Sequence, residues 1–195
     1  MKILVFTDSH GSKSAMDALK KKAKGVDLVF CCGDITMFGR DLAKNVKKIS
    51  KLHEKVYLIH GNHESPARTK EECAKYSNIK FCHKKVYKLP GFSLFAYGGE
   101  GFCETNPDFD AFVDRNMDKL GDKNILITHQ PPFDTNLDDV YGMHVGCETV
   151  REYLKYFDMA FSGHIHECAG HEQKIKKTKI MNPGPTGKII EVKWN

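Results

Sequence analysis

The chain has 195 residues, with 30 Lys and Arg against 25 Asp and Glu and a formal net charge of +5. No apolar run reaches the ~18 residues of a membrane span, and the apolar start Ile3–Phe6 is too short for a secretory leader. Seven cysteines without a CxxC pair, two of them adjacent at Cys31 and Cys32, argue against a zinc knuckle or a disulfide framework and for reduced, buried thiols in a cytoplasm.

In chain order, residues 3–7 read as a first strand and 13–23 as a helix with Ala15, Leu19 and Ala23 on one side. A strand over 27–32, a helix over 40–52, a strand over 55–60 and a short helix after Pro66 continue the alternation. The order β-α-β-α-β-α is that of a mainly parallel sheet. Short strands follow over 79–82, 85–89 and 92–97, the last two joined at Pro90-Gly91, which predicts antiparallel pairing and a second sheet. Gly98–Gly101 reads as a mobile loop, 108–120 as a helix and 123–128 as a strand. The segment 130–145 has two prolines, three aspartates and little periodicity, so it is expected to be a long functional loop. A helix over 146–156, strands over 158–162, 168–175 and 187–194, and a rigid Asn182-Pro183-Gly184-Pro185 turn complete one domain, 1–195. Lysines cluster at 20–24, 44–51, 84–88 and 174–179; opposite the apolar stripe Leu42, Val46, Ile49, Leu52 they are expected to be a solvated helix face, and nucleic acid is not expected as a partner.

Five apolar runs stop at polar side chains of the metal-binding kind. Ile3–Phe6 ends in Asp8-Ser9-His10 and Leu28–Cys32 in Gly33-Asp34. Val56–Ile59 ends in Gly61-Asn62-His63-Glu64, Ile125–Ile127 in His129, and Met159–Phe161 in Gly163-His164-Ile165-His166. The carboxyl edge of an open α/β sheet is where ligands bind. In an extended chain, i and i+2 point to one side, so Asp8 and His10 are expected to grip one ion, and His164 and His166 to serve one site or two neighbouring ones. Imidazole, carboxylate and amide without thiolate suit Mn²⁺, Fe or Zn²⁺, Mn²⁺ above all. Two ions sharing Asp34 accommodate the whole set.

These blocks, in this order, resemble the signature of the calcineurin-like metallophosphoesterases, D-x-H, G-D, G-N-H-E/D, H and G-H-x-H. With His129-Gln130-Pro131-Pro132, His144-Val145-Gly146 and Asn182-Pro183-Gly184-Pro185 the chain is similar to their small archaeal and bacterial Icc-related branch. The resemblance implies a four-layer α/β/β/α sandwich of two mixed sheets. It also implies one ion on Asp8, His10, Asp34 and His166, and another on Asp34, Asn62, His129 and His164. A hydroxide shared by the ions would attack the phosphorus of a small phosphoester, a phosphodiester such as a nucleotide, with Asn62 beside the phosphoryl oxygens. His63 would be a general acid and not a ligand. Gln130 stands where relatives often carry a second His, and Glu64 or Asp8 is expected to fix an imidazole tautomer. Substrate choice is expected in loops 98–106 and 131–145, with Phe102, Phe133, Tyr141 and the candidate substrate contact His144. No membrane or obligate protein partner is expected. The rival readings are a metal-bound scaffold for a partner protein, which would lack the acid at His63, and a nuclease, which would need a groove and usually a capping domain.

Overall fold

The structure, a computed structural model, describes residues 1–192. In the first sheet β1 (Lys2–Phe6), β2 (Leu28–Cys31), β3 (Val56–Leu58) and β4 (Ile79–Phe81) run parallel, and β13 (Lys188–Glu191) lies antiparallel against β1. The second sheet is built from β5 (Lys85–Leu89), β6 (Phe92–Tyr97), β7 (Asn124–Thr128), β10 (Met159–Phe161), β11 (Glu172–Ile175) and β12 (Thr178–Met181). Their order across the sheet is β11-β12-β10-β7-β6-β5. The four inner strands are parallel, and β5 and β11 are antiparallel edges.

Strand alternation divides the apolar side chains into three layers of core. From β1–β3, Leu4, Phe6, Val29, Cys31, Val56 and Leu58 face the helices α1 (Lys13–Lys22), α2 (Leu42–Ile49) and α3 (Pro66–Ala74). Their neighbours Ile3, Val5, Phe30 and Tyr57 meet Leu94, Ala96, Ile125 and Ile127 of the second sheet. On the far side Phe95, Tyr97 and Leu126 pack under α4 (Pro107–Asp114) and α5 (Glu148–Tyr153). This is the expected α/β/β/α order. Ser12 and Asn106 cap α1 and α4 by accepting from Ala15 N and Phe109 N, at 3.3 and 2.9 Å. All seven cysteines are free and six are buried.

Several expectations need correction. Residues 79–82 do not open the second sheet: the α3 crossover returns the chain parallel to β3, so β4 is the edge of the first. The helix over 108–120 ends at Asp114, because the Asn116 amide donates to Phe112 O at 2.7 Å and competes with the helix, leaving a 3₁₀ turn at Met117–Lys119. The helix over 146–156 is α5 plus a 3₁₀ turn at Leu154–Tyr156. The loop 130–145 contains a hairpin, β8 (Asp139–Val140) and β9 (Met143–His144), turning at Tyr141-Gly142 with both φ positive. That turn lacks the Asn-Gly or Asp-Gly signal that would have marked it. The strand near 168–175 starts at Glu172, and its partner β12 was hidden in a lysine-rich stretch whose turn residue, Lys176, has φ 52°. Of the closing strand over 187–194, Lys188–Glu191 is formed, and residues 193 and 194 lie outside the described residues.

On α2 the buried side chains Leu42, Val46 and Ile49 oppose the lysines, a solvated face. Duplex DNA should therefore bind weakly and be lost at physiological salt. Filter binding across a salt series checks this, and tight binding that survives such salt would overturn it. No described helix is long and apolar enough to cross a membrane.

Candidate metal centre

The loops after β1, β2, β3, β7 and β10 meet at one edge of the sandwich. Backbone bonds lock them together: Asp8 N donates to Gly33 O at 3.0 Å, His10 N to Asp34 O at 3.0 Å, and Gly163 N to His129 O at 2.9 Å. The close approach explains two glycines. A Cβ on Gly61 would lie 2.0 Å from Asp34 Oδ1, and one on Gly163 would lie 2.6 Å from Asp8 Oδ2.

The expected extended geometry of Asp8/His10 and His164/His166 is not what brings these side chains in. Asp8, His10, Asp34 and His164 have φ of 51°, 43°, 50° and 72°, all left-handed, and His166 starts a 3₁₀ turn. Each left-handed residue costs on the order of 1–3 kcal/mol, a strain typical of positioned functional groups. The strand ends curl so that their side chains converge.

Three groups of mutually close donor atoms result: Asp8 with His10 and His166, His10 with Asp34 and His63, and Asp34 with His129 and His164. His10 Nε2 is 2.9 Å from His166 Nε2. Asn62 Oδ1 is 2.9 Å from both His129 Nε2 and His164 Nδ1. Thus seven expected ligand side chains meet, and His63 lies close enough to join them, its Nε2 3.6 Å from Asp34 Oδ2.

The donor set fits cations. His10 Nδ1 donates to Thr36 O at 2.7 Å and His129 Nδ1 to Cys32 O at 2.9 Å, which turns each Nε2 into the centre as the atom a cation would take. The tautomers are therefore fixed by backbone carbonyls and not, as expected, by Glu64 or Asp8. Asp8 and Asp34 are both buried. Burial, with the Asp34 charge, raises the Asp8 carboxyl despite His129. Burial also opposes Asp34, but the hydrogen bond and charge of His129 hold it below its ordinary value. Burial opposes a charged His129 in turn, yet Asp34 and Asp8 raise it to about 9. Burial and His129 lower His164 to about 4. Without a cation, the proton on His129 is the positive charge that answers two buried carboxylates. Loading should release that proton below pH about 9.

Glu64 has a different task. Its carboxylate accepts from Asp34 N and Gly61 N at 3.0 Å, Thr36 N at 2.9 Å and Thr36 Oγ1 at 2.6 Å, clamping the β2 loop to the β3 loop. Glu64→Ala leaves three amides unpaired at roughly 1–3 kcal/mol each. At about 2–4 °C per kcal/mol, Tm should fall by about 6 °C or more. An unchanged thermal midpoint would remove the clamp.

The family model for calcineurin-like phosphoesterases matches residues 1–168. The chain belongs to the calcineurin-like phosphoesterases. An uncharacterized protein of Methanocaldococcus jannaschii is 29% identical over 206 aligned positions, covering 97% of this chain and 91% of that protein. A second from the same organism is 25% identical, with 95% and 76% covered. A solved structure from Thermus thermophilus shares the fold, with a TM-score of 0.74 at 15% identity over 95% of this chain and 90% of that one.

In this calcineurin-like phosphoesterase His144 stands apart from the metal groups. It is on β9, its Nδ1 2.9 Å from the buried Asp138 carboxylate. Sequence reasoning missed four contributors. Thr36 orients His10. Phe38, 78% exposed, lies on the His63 ring with centroids 4.3 Å apart. Ala169 and Pro185 line a cavity of about 200 Å³ with Asp8, His10 and His166. Only Pro185 carried a signal, its rigid turn. Gln130, the departure, is buried and donates to Cys103 O at 2.6 Å, so it anchors the 98–106 loop.

Proposed function

We propose that the protein is a phosphodiesterase working with two divalent cations, Mn²⁺ foremost. One cation is assigned to Asp8, His10, Asp34 and His166, and the other to Asp34, Asn62, His129 and His164. The observation that carries this is the chaining of the donor groups: His10 and Asp34 each belong to two of them, so neighbouring cations would share Asp34. Bound there, the cations supply an activated water and neutralise phosphoryl charge.

The chain's own side chains do the rest. Asn62 Nδ2 is the amide donor available to a phosphoryl oxygen, since Oδ1 faces His129 and His164. His63, its Nε2 3.6 Å from Asp34 Oδ2, stands beside the assigned ligands and is assigned the leaving-group side. A diester is favoured over a monoester by charge. Neither the cavity beside Asp8 nor the one beside Phe102 is lined by a Lys or Arg. A monoester dianion would lack the cationic side chains that its second charge calls for, whereas a diester carries one charge.

The experiment is elemental analysis followed by bis(p-nitrophenyl) phosphate and p-nitrophenyl phosphate assayed side by side with Mn²⁺ from neutral to alkaline pH. About two cations per chain and faster turnover of the diester are expected. Turnover of neither ester would overturn the reading in favour of a scaffold, and a faster monoester would overturn the diester assignment.

A further inference from the structure

Beside the metal centre lies a second cavity, of about 290 Å³, lined by Phe102, Glu104, Phe133, His144, Val145 and Gly146. Phe102 joins the two places. Its ring is 4.4 Å from that of His164, centroid to centroid, and it also lines the cavity while 72% exposed. Phe102 therefore borders both the metal centre and this cavity. The volume is at the low end for ligand pockets and suits one planar ring system.

The walls are held in place. Asp138, fully buried, accepts from Thr135 N at 2.8 Å, Gly146 N at 2.9 Å and His144 Nδ1 at 2.9 Å, fixing the hairpin that carries His144. Phe133 rests on His144 with ring centroids 5.8 Å apart. Glu104 is fixed by its backbone, Glu148 N donating to its carbonyl at 2.8 Å. Its carboxylate makes no hydrogen bond or ion pair among the described residues. The cavity thus offers two aromatic faces, an imidazole and one free carboxylate.

A carboxylate only accepts hydrogen bonds. Among the nucleobases guanine alone presents two adjacent N–H donors on one edge, N1–H and the exocyclic amine. Adenine and cytosine place a ring-nitrogen lone pair beside their amino group, and uracil and thymine flank their N–H with carbonyls. Each of these sets a lone pair against the carboxylate. Both nitrogens of His144 face carboxylates, Nδ1 donating to Asp138 at 2.9 Å and Nε2 3.6 Å from Asp134 Oδ1, so His144 serves the cavity as a fixed wall.

We propose that this cavity seats a guanine base of the diester, stacked on Phe102 with its N1–H and amino group on Glu104. This rests on the phosphodiesterase reading above and names the nucleoside that reading would favour. It is tested by calorimetric binding of the singly charged, non-hydrolysable 5′-methylphosphinate analogues of GMP and AMP to the metal-loaded protein, alongside turnover of bis(p-nitrophenyl) phosphate. The GMP analogue should bind about tenfold tighter or more, the scale of one good bidentate base contact. Glu104→Gln should bring the two affinities together. Phe102→Ala should weaken both roughly tenfold, the lower end of base–aromatic stacking. Equal binding of both analogues by the wild type, or a guanine preference that survives Glu104→Gln, would overturn the assignment. Diester turnover without guanine preference sinks this inference alone. Guanine preference without diester turnover sinks the phosphodiesterase reading and leaves the base site standing.

Discussion

Asp34→Ala should empty both halves of the centre at once, whereas His10→Ala should deplete mainly one. Asp34 belongs to the donor group with His129 and His164 and to the group with His10 and His63. Its Oδ2 lies 3.3 Å from His129 Nε2 and 3.6 Å from His63 Nε2. Loss of a group that merely supports a ligand costs about 10–100-fold in metal affinity, so loss of a shared ligand should cost more at each position. Ala also meets a backbone cost, because residue 34 is left-handed at φ 50°, where Asp and Asn are tolerated better. Asp34→Asn separates the two effects, keeping an acceptor for His63 N, now at 3.0 Å from Oδ1, while removing the charge. Both variants should lose cations and turnover together. A second signature is independent of turnover. In the metal-free protein Asp34 is the main partner raising His129 to about 9. A folded-state value raised above the unfolded ~6.5 gives stability that is full below pH ~6.5 and lost as pH rises through about 9. Metal-free Asp34→Asn should show a weaker loss across that window than the metal-free wild type. Full metal content in Asp34→Ala would contradict the shared-ligand assignment.

How much of this was legible in the sequence depends on what each residue's position follows from. The parallel strands were legible because burial on both faces leaves continuous apolar runs such as Leu28–Cys31. The ligand set was legible because each run stops at a ligand-type side chain on the same edge. The local conformation was not, since a spacing of two residues allows an extended pair or a left-handed curl, and the contacts among five loops select the curl at Asp8, His10, Asp34 and His164. The task of Glu64 was hidden for a related reason. It binds amides from two separate loops, Gly61 in its own and Asp34 and Thr36 in the other. The cavity at Phe102 was legible in part: Phe102, Phe133 and His144 stand in the two loops expected to choose the substrate, while Glu104 and the meeting of those loops, about 30 residues apart, follow from the second sheet and were not legible.

His63→Gln should separate substrates by their leaving groups. His63 is the histidine beside Asn62, and its Nδ1 accepts from Phe38 N at 3.1 Å. In that arrangement the ring proton is on Nε2, the nitrogen 3.6 Å from Asp34 Oδ2 and facing the centre. A ring so held offers Nε2–H as a hydrogen-bond donor. To act as a general acid it must carry a proton on both nitrogens, which requires the Phe38 amide to turn away. Phe38 lies on the His63 ring and is 78% exposed, so the segment that holds His63 is itself open to a ligand. An alkoxide such as a ribose oxygen needs a proton to depart, while p-nitrophenolate scarcely does. General acid catalysis contributes ~10²–10⁴-fold. His63→Gln should therefore lose much of that factor with alkyl esters and far less with p-nitrophenyl esters, and the basic limb of the pH–rate profile should weaken for alkyl esters alone. Rates on both ester types, with bound metal measured on the same samples, decide the matter. Equal losses on both would make His63 a hydrogen-bond donor fixed by Phe38 and not an acid. Loss of metal would make it a ligand with His10 and Asp34, the third donor group that the geometry allows.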